Sequence, residues 1–323
     1  MAPLKKISKN IQQLTINNME TPESKVEWVN IVDAGKKELE YLRKKYEFEM
    51  SDLQPSFGKS ISQRPVVRKT DGYLFIILHY PVIENGNITS AEVDFFVGHG
   101  FLITLHNDNL PALKNFFNLC KKDEKSIRAY ESESSIVLLA ELLEKLMNSC
   151  IEIIDENSLS LIKIEEMIFD QRRQNRAISH ILKLRRNLTK FRKVVQSHKN
   201  ILKNLMDMES SIVSREIVKR NYNGLVEYSK RIWEYLENQK EMVEIFYDTN
   251  ESLLNNRLND IMKTLTIFSV IVFPLTLLAA IFGMNTMNGM PFVNTDNGFW
   301  VIIVIMLTGS LAMLVFFWRK KWL

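Results

Sequence analysis

The chain has 323 residues, of which 46% are hydrophobic and 25% are charged, and its formal net charge is +4. This length is enough for two ordinary domains, and so small a net charge does not by itself indicate nucleic acid binding. The two cysteines, Cys120 and Cys150, lack CxxC and Cys/His spacing, which disfavours a zinc site or disulfide framework and predicts buried, reduced thiols. The first residues lack the apolar core of a signal peptide, so we expect membrane entry at the C-terminal end.

Residues 1–130 are predicted to form a cytosolic α/β domain. Lys25–Val32 alternates apolar and polar residues, as a half-buried strand does. Asp33 is placed to cap a following helix, Lys36–Phe48. These patterns predict a strand followed directly by a helix.

A second group of strands is predicted further along the same domain. Gly72–Tyr80 is a continuous apolar run, which predicts a strand with both faces covered that ends at Pro81. The remaining patterns predict two strands, at Glu92–Val97 and Phe101–His106. They also predict two turns, at residues 85–87 and 98–100.

The candidate catalytic and metal-binding residues of this domain are few. His79, His99 and His106 do not have the spacing of a metal-ligand motif, so polar or turn positions on a sheet are the favoured interpretation. The sequence has no Gly-rich phosphate loop, no GxSxG and no HExxH motif. With no nucleophile–base or metal constellation, an enzyme is disfavoured.

Residues 131–213 are predicted to form two antiparallel helices of opposite charge. Ten acids lie between Glu131 and Asp170, within a stretch of helical apolar spacing, whereas Arg172–Asn204 has eleven Lys or Arg residues and no acid. A basic helix can indicate nucleic acid, but no pattern of base-reaching side chains is present. We therefore expect the basic helix to fold back on the acidic one, and we expect no nucleic acid partner.

A long helix is predicted for residues 214–282, after a break near Met208–Ser214. Its pattern contains no proline before Pro274, and at 1.5 Å per residue it would be roughly 100 Å long. Such a helix must pack along other helices, either of its own chain or of further copies.

Two uncharged apolar segments, Leu265–Phe282 and Phe299–Trp318, are each about long enough to cross a bilayer. Basic residues flank the outer ends of this pair and the loop between them has none, which predicts that both termini are cytoplasmic. The predicted parts are a first span at about 264–282, an external loop at 283–298, a second span at 299–318 and a basic tail at 319–323.

Polar residues of the first span share one helical line that repeats about every 3.5 residues. Three of the span's four hydroxyl residues lie on it, and Thr264 does not. Such a line is either a packing seam or, in a ring of identical helices, the wall of an axial pore, and the pattern alone leaves both open. We call it the polar line: Asn259, Met262, Thr266, Ser269, Phe273, Thr276, Ala280 and Gly283.

The segment MKTLTIFSVIVFPLTLLAAIFGMN, followed by a short loop, a second span and the tail RKKWL, resembles the CorA family of divalent-cation channels. That family's signature is the triplet Gly283-Met284-Asn285. The segments WVNIVDAGKKELEYL, QRPVVRKTDGYLFIILHYP and VDFFVGHGFLITLHND are similar to the family's N-terminal domain, so the resemblance covers almost the whole chain. The triplet is specific here because it ends a proline-containing span and precedes a second span and a basic tail.

The resemblance implies an α+β fold with a cytosolic α/β domain, a long helical stalk and two C-terminal transmembrane helices, assembled as a homopentameric funnel in the cell membrane. It implies influx of Mg²⁺, and of Co²⁺ or Ni²⁺, without a cofactor. Gly283, Met284 and Asn285 would form the outer selectivity site, with Asn285 meeting the incoming ion. The implied pore-lining positions are Asn259, Met262, Leu265, Thr266, Ser269, Phe273, Thr276 and Ala280, with Met262 and Leu265 as the inner constriction.

The sequence also departs from the family. Phe282 stands where tyrosine is usual, and the external loop has one acid, Asp296, where many relatives have glutamates. In well-known members of the family, Mg²⁺ bound between subunits holds the channel shut through an Asp of the N-terminal domain and another early in the long helix. The corresponding positions here are about Phe57 and Gly224, which are not acids, and the nearby acids Asp52 and Glu227 could substitute.

These departures lean toward the zinc-transporting ZntB branch, with proton-coupled Zn²⁺ uptake, whereas the intact triplet favours Mg²⁺. A membrane-anchored scaffold without transport is a further alternative.

Overall fold

The computed structural model describes residues 5–6, 9–17, 25–54, 56, 64–121, 132–208, 215–284, 291–292, 297–320 and 322. The chain divides into two compact units, Met1–Tyr247 and Asp248–Leu323. The first combines a mixed sheet with helices and the second contains two long apolar helical segments, which confirms the predicted α+β fold class.

Seven strands of the first unit form one mixed sheet in the order β1-β2-β3-β7-β6-β5-β4. All neighbouring strands are antiparallel except β3 and β7, which are parallel. The strands are β1 (Lys5–Lys6), β2 (Ile11–Asn17), β3 (Lys25–Val32), β4 (Val66–Thr70), β5 (Tyr73–Glu84), β6 (Asn87–Gly98) and β7 (Phe101–His106).

The first unit also contains α1 (Lys36–Tyr46), α2 (Met50–Leu53), α3 (Pro111–Lys121), α4 (Ser135–Phe169), α5 (Gln174–Val195) and α6 (His198–Asp207). Helix α7 (Arg215–Phe282) begins in this unit, and α8 (Gly298–Arg319) belongs to the second.

Helices cover both faces of the sheet. On one face, side chains of α1 and α2 join a core with alternate residues of the strands, including Phe75 and Phe96. On the other, Trp28 of β3 contacts the rings of Phe116 and Phe117 from α3 at centroid distances of 5.6 and 5.0 Å. The continuous apolar run of β5 is therefore explained, because strands with two covered faces do not alternate.

The start of α1 differs from the prediction. Asp33 does not cap this helix, because it has a positive φ of 50° and the N-cap is Gly35. The Gly35 N–H instead donates to Glu38 Oε2 at 3.1 Å. The helix ends at Tyr46, since Glu47 adopts a left-handed conformation, and Phe48 then stacks on Phe96 at 4.5 Å.

Pro81 does not end β5, which continues to Glu84. Pairing with β4 stops at Ile77, so one side of the strand is a free edge at Pro81, where proline is tolerated. The β5–β6 hairpin turns at Asn85 and Gly86, both with positive φ, as the turn signal predicted. Strands β2 and β4 and helix α3 had no counterpart in the sequence prediction.

Hydrogen bonds and an ion pair join the first unit's part of α7 to helices α4 and α5. Tyr222 donates from its hydroxyl to the Ile136 carbonyl at 3.0 Å, and Gln239 Nε2 donates to the Ile154 carbonyl at 2.7 Å, both on α4. Arg192 of α5 pairs with Glu237. The basic stretch is two helices, α5 and α6, rather than one.

The second unit contains two helical segments that are long and apolar enough to cross a membrane, in α7 and in α8. Cys120 and Cys150, both in the first unit, are buried, as predicted.

Candidate functional site

Hydroxyl side chains of the membrane segment of α7 donate to the helix backbone. Thr266 Oγ1 donates to the Met262 carbonyl at 2.7 Å, and Ser269 Oγ to the Leu265 carbonyl at 2.9 Å. Thr276 Oγ1 donates to the carbonyl of Val272 at 2.9 Å. Each proton is thereby used within the helix, while the lone pairs of each oxygen stay available as acceptors.

The polar line lies on the exposed side of α7. Ile267 is 6% exposed and Ile271, one turn on, is partly shielded, whereas Met262 is 58% and Phe273 70% exposed. At about 100° per residue, the shielded row lies opposite the polar line. Every member of that line is exposed except Ser269, which is partly exposed.

Helix α8 has its own shielded row. Phe317 is 7% exposed, and the partly shielded residues precede it at helical spacing: Ile302, Met306, Gly309 and Met313. We infer that the shielded rows of the two helices face each other, which leaves most of the polar line uncovered by the described residues of the chain.

The inner end of the polar line borders a cleft of about 650 Å³. Asn259, Met262 and Thr266 line it, together with Lys263 and Trp322 of the C-terminal tail. Leu265, the other residue of the expected constriction, is 56% exposed. The expected inner gate is thus a pair of bare apolar side chains flanked by an asparagine and a threonine.

At the outer end of the polar line, the helix backbone packs closely against Gly283. The Gly283 N–H donates to the Ala279 carbonyl at 3.0 Å, and a Cβ at Gly283 would lie 3.1 Å from that same oxygen. Met284 is 57% exposed. Asn285 and Asp296 lie outside the described residues, so the structure does not place the third residue of the triplet or the loop acid.

Pro274 lies within α7 on the shielded side of the helix. Proline has no N–H to donate, so the Val270 carbonyl one turn earlier loses its usual helical donor. In a bilayer such a carbonyl needs another partner or a local adjustment of the helix.

The two acids expected at a regulatory metal site have very different surroundings. Asp52 is 2% exposed, and its carboxylate accepts from Arg68 at 2.8 Å and from the Tyr73 hydroxyl at 3.0 Å. Glu227 is an exposed residue of α7. Within the described residues, no group of three or more His, Cys, Asp or Glu side chains could hold a metal ion.

The three histidines of the sheet domain occupy separate places. His79 Nε2 lies 2.9 Å from Glu92 Oε2, and His99 is exposed in the β6–β7 turn. His106 Nε2 lies 3.0 Å from the Asn30 side-chain oxygen in a buried network, and burial lowers the pKa of His106 to about 4.

Sequence reasoning missed Asp94, a carboxylic acid buried in the sheet. It is 3% exposed, Ser56 donates to its Oδ2, and its Oδ1 has no hydrogen-bond partner among the described residues. Burial raises the pKa of Asp94 to about 7. The only signal in the sequence was its place in the apolar strand VDFFV.

Comparison with known proteins identifies the family of the chain. A family model described as "CorA-like Mg2+ transporter protein" matches residues 23–321. The cobalt/magnesium transport protein CorA of Methanocaldococcus jannaschii is 25% identical over 299 residues, which are 92% of this chain and 91% of that protein.

Solved structures share the fold. The complete CorA magnesium transporter from Methanocaldococcus jannaschii matches with a TM-score of 0.80 and 24% identity, covering 92% of both chains. The ZntB cytoplasmic domain from Vibrio parahaemolyticus matches with a TM-score of 0.62 and 14% identity, covering 76% of this chain and 98% of that domain. Because the family match extends through the sheet, α7 and α8, the chain belongs to the CorA-like Mg²⁺ transporter family and is a membrane transporter of divalent cations.

Proposed function

We propose that the chain is one subunit of a homo-oligomeric channel for Mg²⁺ influx, which also admits Co²⁺ or Ni²⁺. Five subunits would surround a pore lined by the polar line of α7. The observation that carries this proposal is the bare polar line opposite the shielded row of the same helix. A membrane helix with uncovered polar residues needs a protein or water partner, and copies of itself around an axis supply both.

The chemistry of the line suits a hydrated divalent cation. Mg²⁺ gives up its water reluctantly, so a pore that accepts hydrogen bonds from the hydration shell avoids that cost. The outward lone pairs of Thr266, Ser269 and Thr276 can accept from ion-bound water because their protons are donated to the helix.

At the outer mouth, we propose that Gly283, Met284 and Asn285 form the selectivity site. A ring of neutral Asn285 carboxamides would bind the hydrated ion without an ionised group. Asp296 would add a weak negative field there, since it is the only acid of the external loop.

At the inner end, Met262 and Leu265 would form an apolar constriction that closes by dewetting. An inside-negative membrane potential offers roughly 2.3 kcal/mol per charge per 100 mV, and about twice that for a divalent ion, so influx needs no other energy source.

The assembly follows from this pore. Large apolar side chains are also exposed on the first unit's part of α7, at Tyr235, Met242 and Ile245, and contacts between copies would cover them. In this proposal, both termini and the residue 1–130 domain are cytoplasmic, the 131–213 helices and the 214–282 stalk follow, and the 283–298 loop is external.

Asp52 and Glu227 would be the acids available to a regulatory Mg²⁺. For Asp52 that requires breaking its contacts with Arg68 and Tyr73. A metal would have to replace both contacts.

A second candidate is a Zn²⁺ transporter of the ZntB type, driven by a proton gradient. The single acid in the external loop favours it, and the fold of the first unit is shared with a ZntB cytoplasmic domain.

One experiment separates the two candidates. Purified protein is reconstituted in liposomes, and fluxes of Mg²⁺, Co²⁺, Ni²⁺ and Zn²⁺ are measured with and without a proton gradient. We expect Mg²⁺ flux that is independent of the gradient. Zn²⁺ flux that requires the gradient, with no Mg²⁺ flux, would establish the second candidate instead, and no flux of any ion would favour a scaffold.

A further inference from the structure

A basic cleft of about 800 Å³ lies in the first unit. Its walls come from the residues before β4, from β5 and β6, and from the end of α5 with the junction to α6. A volume of this size is within the range of small-molecule sites, about 300–1,000 Å³.

Three basic residues line this cleft together with His79. They are Arg64, Lys190 and Lys193, and no acid is among the described residues that line it. None of the three makes an ion pair with another described residue. Lys190 and Lys193 are three residues apart on α5, so they project from the same face of that helix.

The cleft also contains buried hydroxyl groups without partners. Thr89 and Ser90, neighbours on β6, line the cleft, and their hydroxyl oxygens are shielded from solvent with no hydrogen-bond partner in the part of the chain that the structure describes. Buried polar atoms without a partner are costly, so a ligand that accepts hydrogen bonds here would recover that cost. Ser197, whose side chain does not cap α6, adds a third hydroxyl to the lining.

One acid, Glu92, adjoins the cleft through its contact with His79, which lines the cleft. Glu92 is only 11% exposed through its side chain, and its carboxylate lies 2.9 Å from His79 Nε2. Arg64, Lys190 and Lys193 therefore line one open space, and no carboxylate is among its described lining residues.

We propose that this cleft binds a small soluble anion that carries two or more phosphate groups. One phosphate would leave most of the volume empty, whereas a longer anion offers oxygens to cations on both walls, α5 and the segment before β4. Arginine and lysine are the usual phosphate partners, and hydroxyls donate to the remaining oxygens. Ile88 and Val194 provide an apolar wall for an uncharged part of the ligand.

Binding is tested on the full chain, purified in detergent, without divalent metal. Isothermal titration calorimetry with inorganic tripolyphosphate and with ATP measures affinity, and citrate serves as an anion that lacks phosphate. We expect saturable binding of tripolyphosphate or ATP and at least about tenfold weaker binding of citrate.

Matched variants locate the site. K190A/K193A should weaken binding roughly tenfold or more, whereas R185A/R186A, which removes two charges from exposed residues of the same helix outside the cleft, should change it less than about twofold. K190R/K193R, which keeps the charge, should retain binding, and S90A should weaken it about two- to fivefold through the lost hydroxyl.

Three results would overturn the proposal. These are no saturable binding, an equal loss in both alanine pairs, and citrate binding as tightly as tripolyphosphate. A fourth is a change in oligomeric state in K190A/K193A, measured by light scattering, because the cleft would then be an interface between subunits. No transport is measured, so the outcome is independent of the pore proposal.

Discussion

The two units of the chain differ in how much of their apolar side-chain surface is buried. In residues 1–247 the largest apolar side chains, such as Trp28, Phe75 and Phe96, are fully buried between the sheet and its helices. In the described part of residues 248–323, Ile267 and Phe317 are the only buried hydrophobic residues. The first unit is stabilised by its own interior, whereas the second requires lipid and further protein surface.

The same residue type also has a different role in each unit. Thr104 of β7 donates to the Asn30 side-chain oxygen at 2.7 Å within a buried network. Thr266 of α7 donates to its own helix, and it is an exposed residue of that helix. A hydroxyl of the first unit thus serves the fold, and we expect the hydroxyls of the polar line to serve the transported ion.

The largest effect that would test this comparison is expected at the mouth of the proposed pore. Asn285→Ala should reduce Mg²⁺ uptake roughly 100-fold or more without unfolding the first unit, because the carboxamide ring that binds the hydrated ion is lost. Uptake is measured in liposomes and the fold by circular dichroism.

Asn288→Ala provides the control, since it removes the same group from the same loop outside the triplet. Normal uptake in Asn285→Ala, or an equal loss in Asn288→Ala, would contradict the selectivity role of the triplet.

The same substitution in both units gives the second test. Phe96→Ala should destabilise the first unit by about 3–5 kcal/mol, because it empties a fully buried site. Phe273→Ala removes an equal volume from a side chain that is 70% exposed, and it should leave that unfolding transition unchanged while altering ion flux. Both are measured by thermal unfolding and by flux in the full chain.

If Phe273→Ala lowers the unfolding temperature of the first unit as much as Phe96→Ala does, the two units are not independent in the way we infer. Unchanged flux in Phe273→Ala would count against its place in the pore.

The inner constriction gives the third test. Leu265→Ala should raise ion leak roughly tenfold, because a shorter apolar side chain widens the ring and lets water enter. The control is Ile281→Ala, which shortens an exposed apolar residue of the same size on the same helix, with no member of the polar line three or four residues away from it. Equal leak in the two variants would mean that Leu265 does not form the gate.

The helical part of the chain could be predicted closely from its sequence. The long helix was expected at residues 214–282 and is found at Arg215–Phe282, and the second span was expected at 299–318 and is found in Gly298–Arg319. Long helices repeat the same signal over many turns, so a few misleading residues do not hide them.

The edges of the sheet could not be predicted as well. Strands β2 and β4 alternate weakly and contain several polar residues, so their pairing is decided by neighbours distant in sequence. Asp33 was a reasonable helix cap by residue type, but its positive φ is set by the turn after β3.

The candidate site was predicted as a line of residues, not as a surface. Sequence spacing placed Thr266, Ser269 and Thr276 on one face, but it could not distinguish a packing seam from a pore wall. That choice depends on what α8 covers, and coverage is a property of the folded unit. The basic cleft and the buried Asp94 were missed for the same reason.

The smallest expected effect concerns Asp94 and the pH dependence of the first unit. Burial raises its pKa from the ordinary 3.8 to about 7. The unfolded chain therefore ionises at a lower pH than the folded one, and this group's contribution to stability is lost as pH rises from about 4 through about 7. Asp94→Asn cannot ionise, so its stability relative to the original chain should rise by up to about 1.4 kcal/mol for each pH unit between about pH 5 and pH 7.

Thermal unfolding of both proteins between about pH 5 and pH 8 measures this difference, which should shrink toward the acidic end because the original carboxyl is then protonated in the fold. Asp155→Asn, at an exposed position of α4, controls for the loss of one negative charge and should leave the slope unchanged. A parallel pH dependence in Asp94→Asn and the original chain would show that the buried carboxyl is already ionised at pH 5. The sheet would then hold a charge without a partner on Oδ1, and the first unit would not be as self-sufficient as its apolar interior indicates.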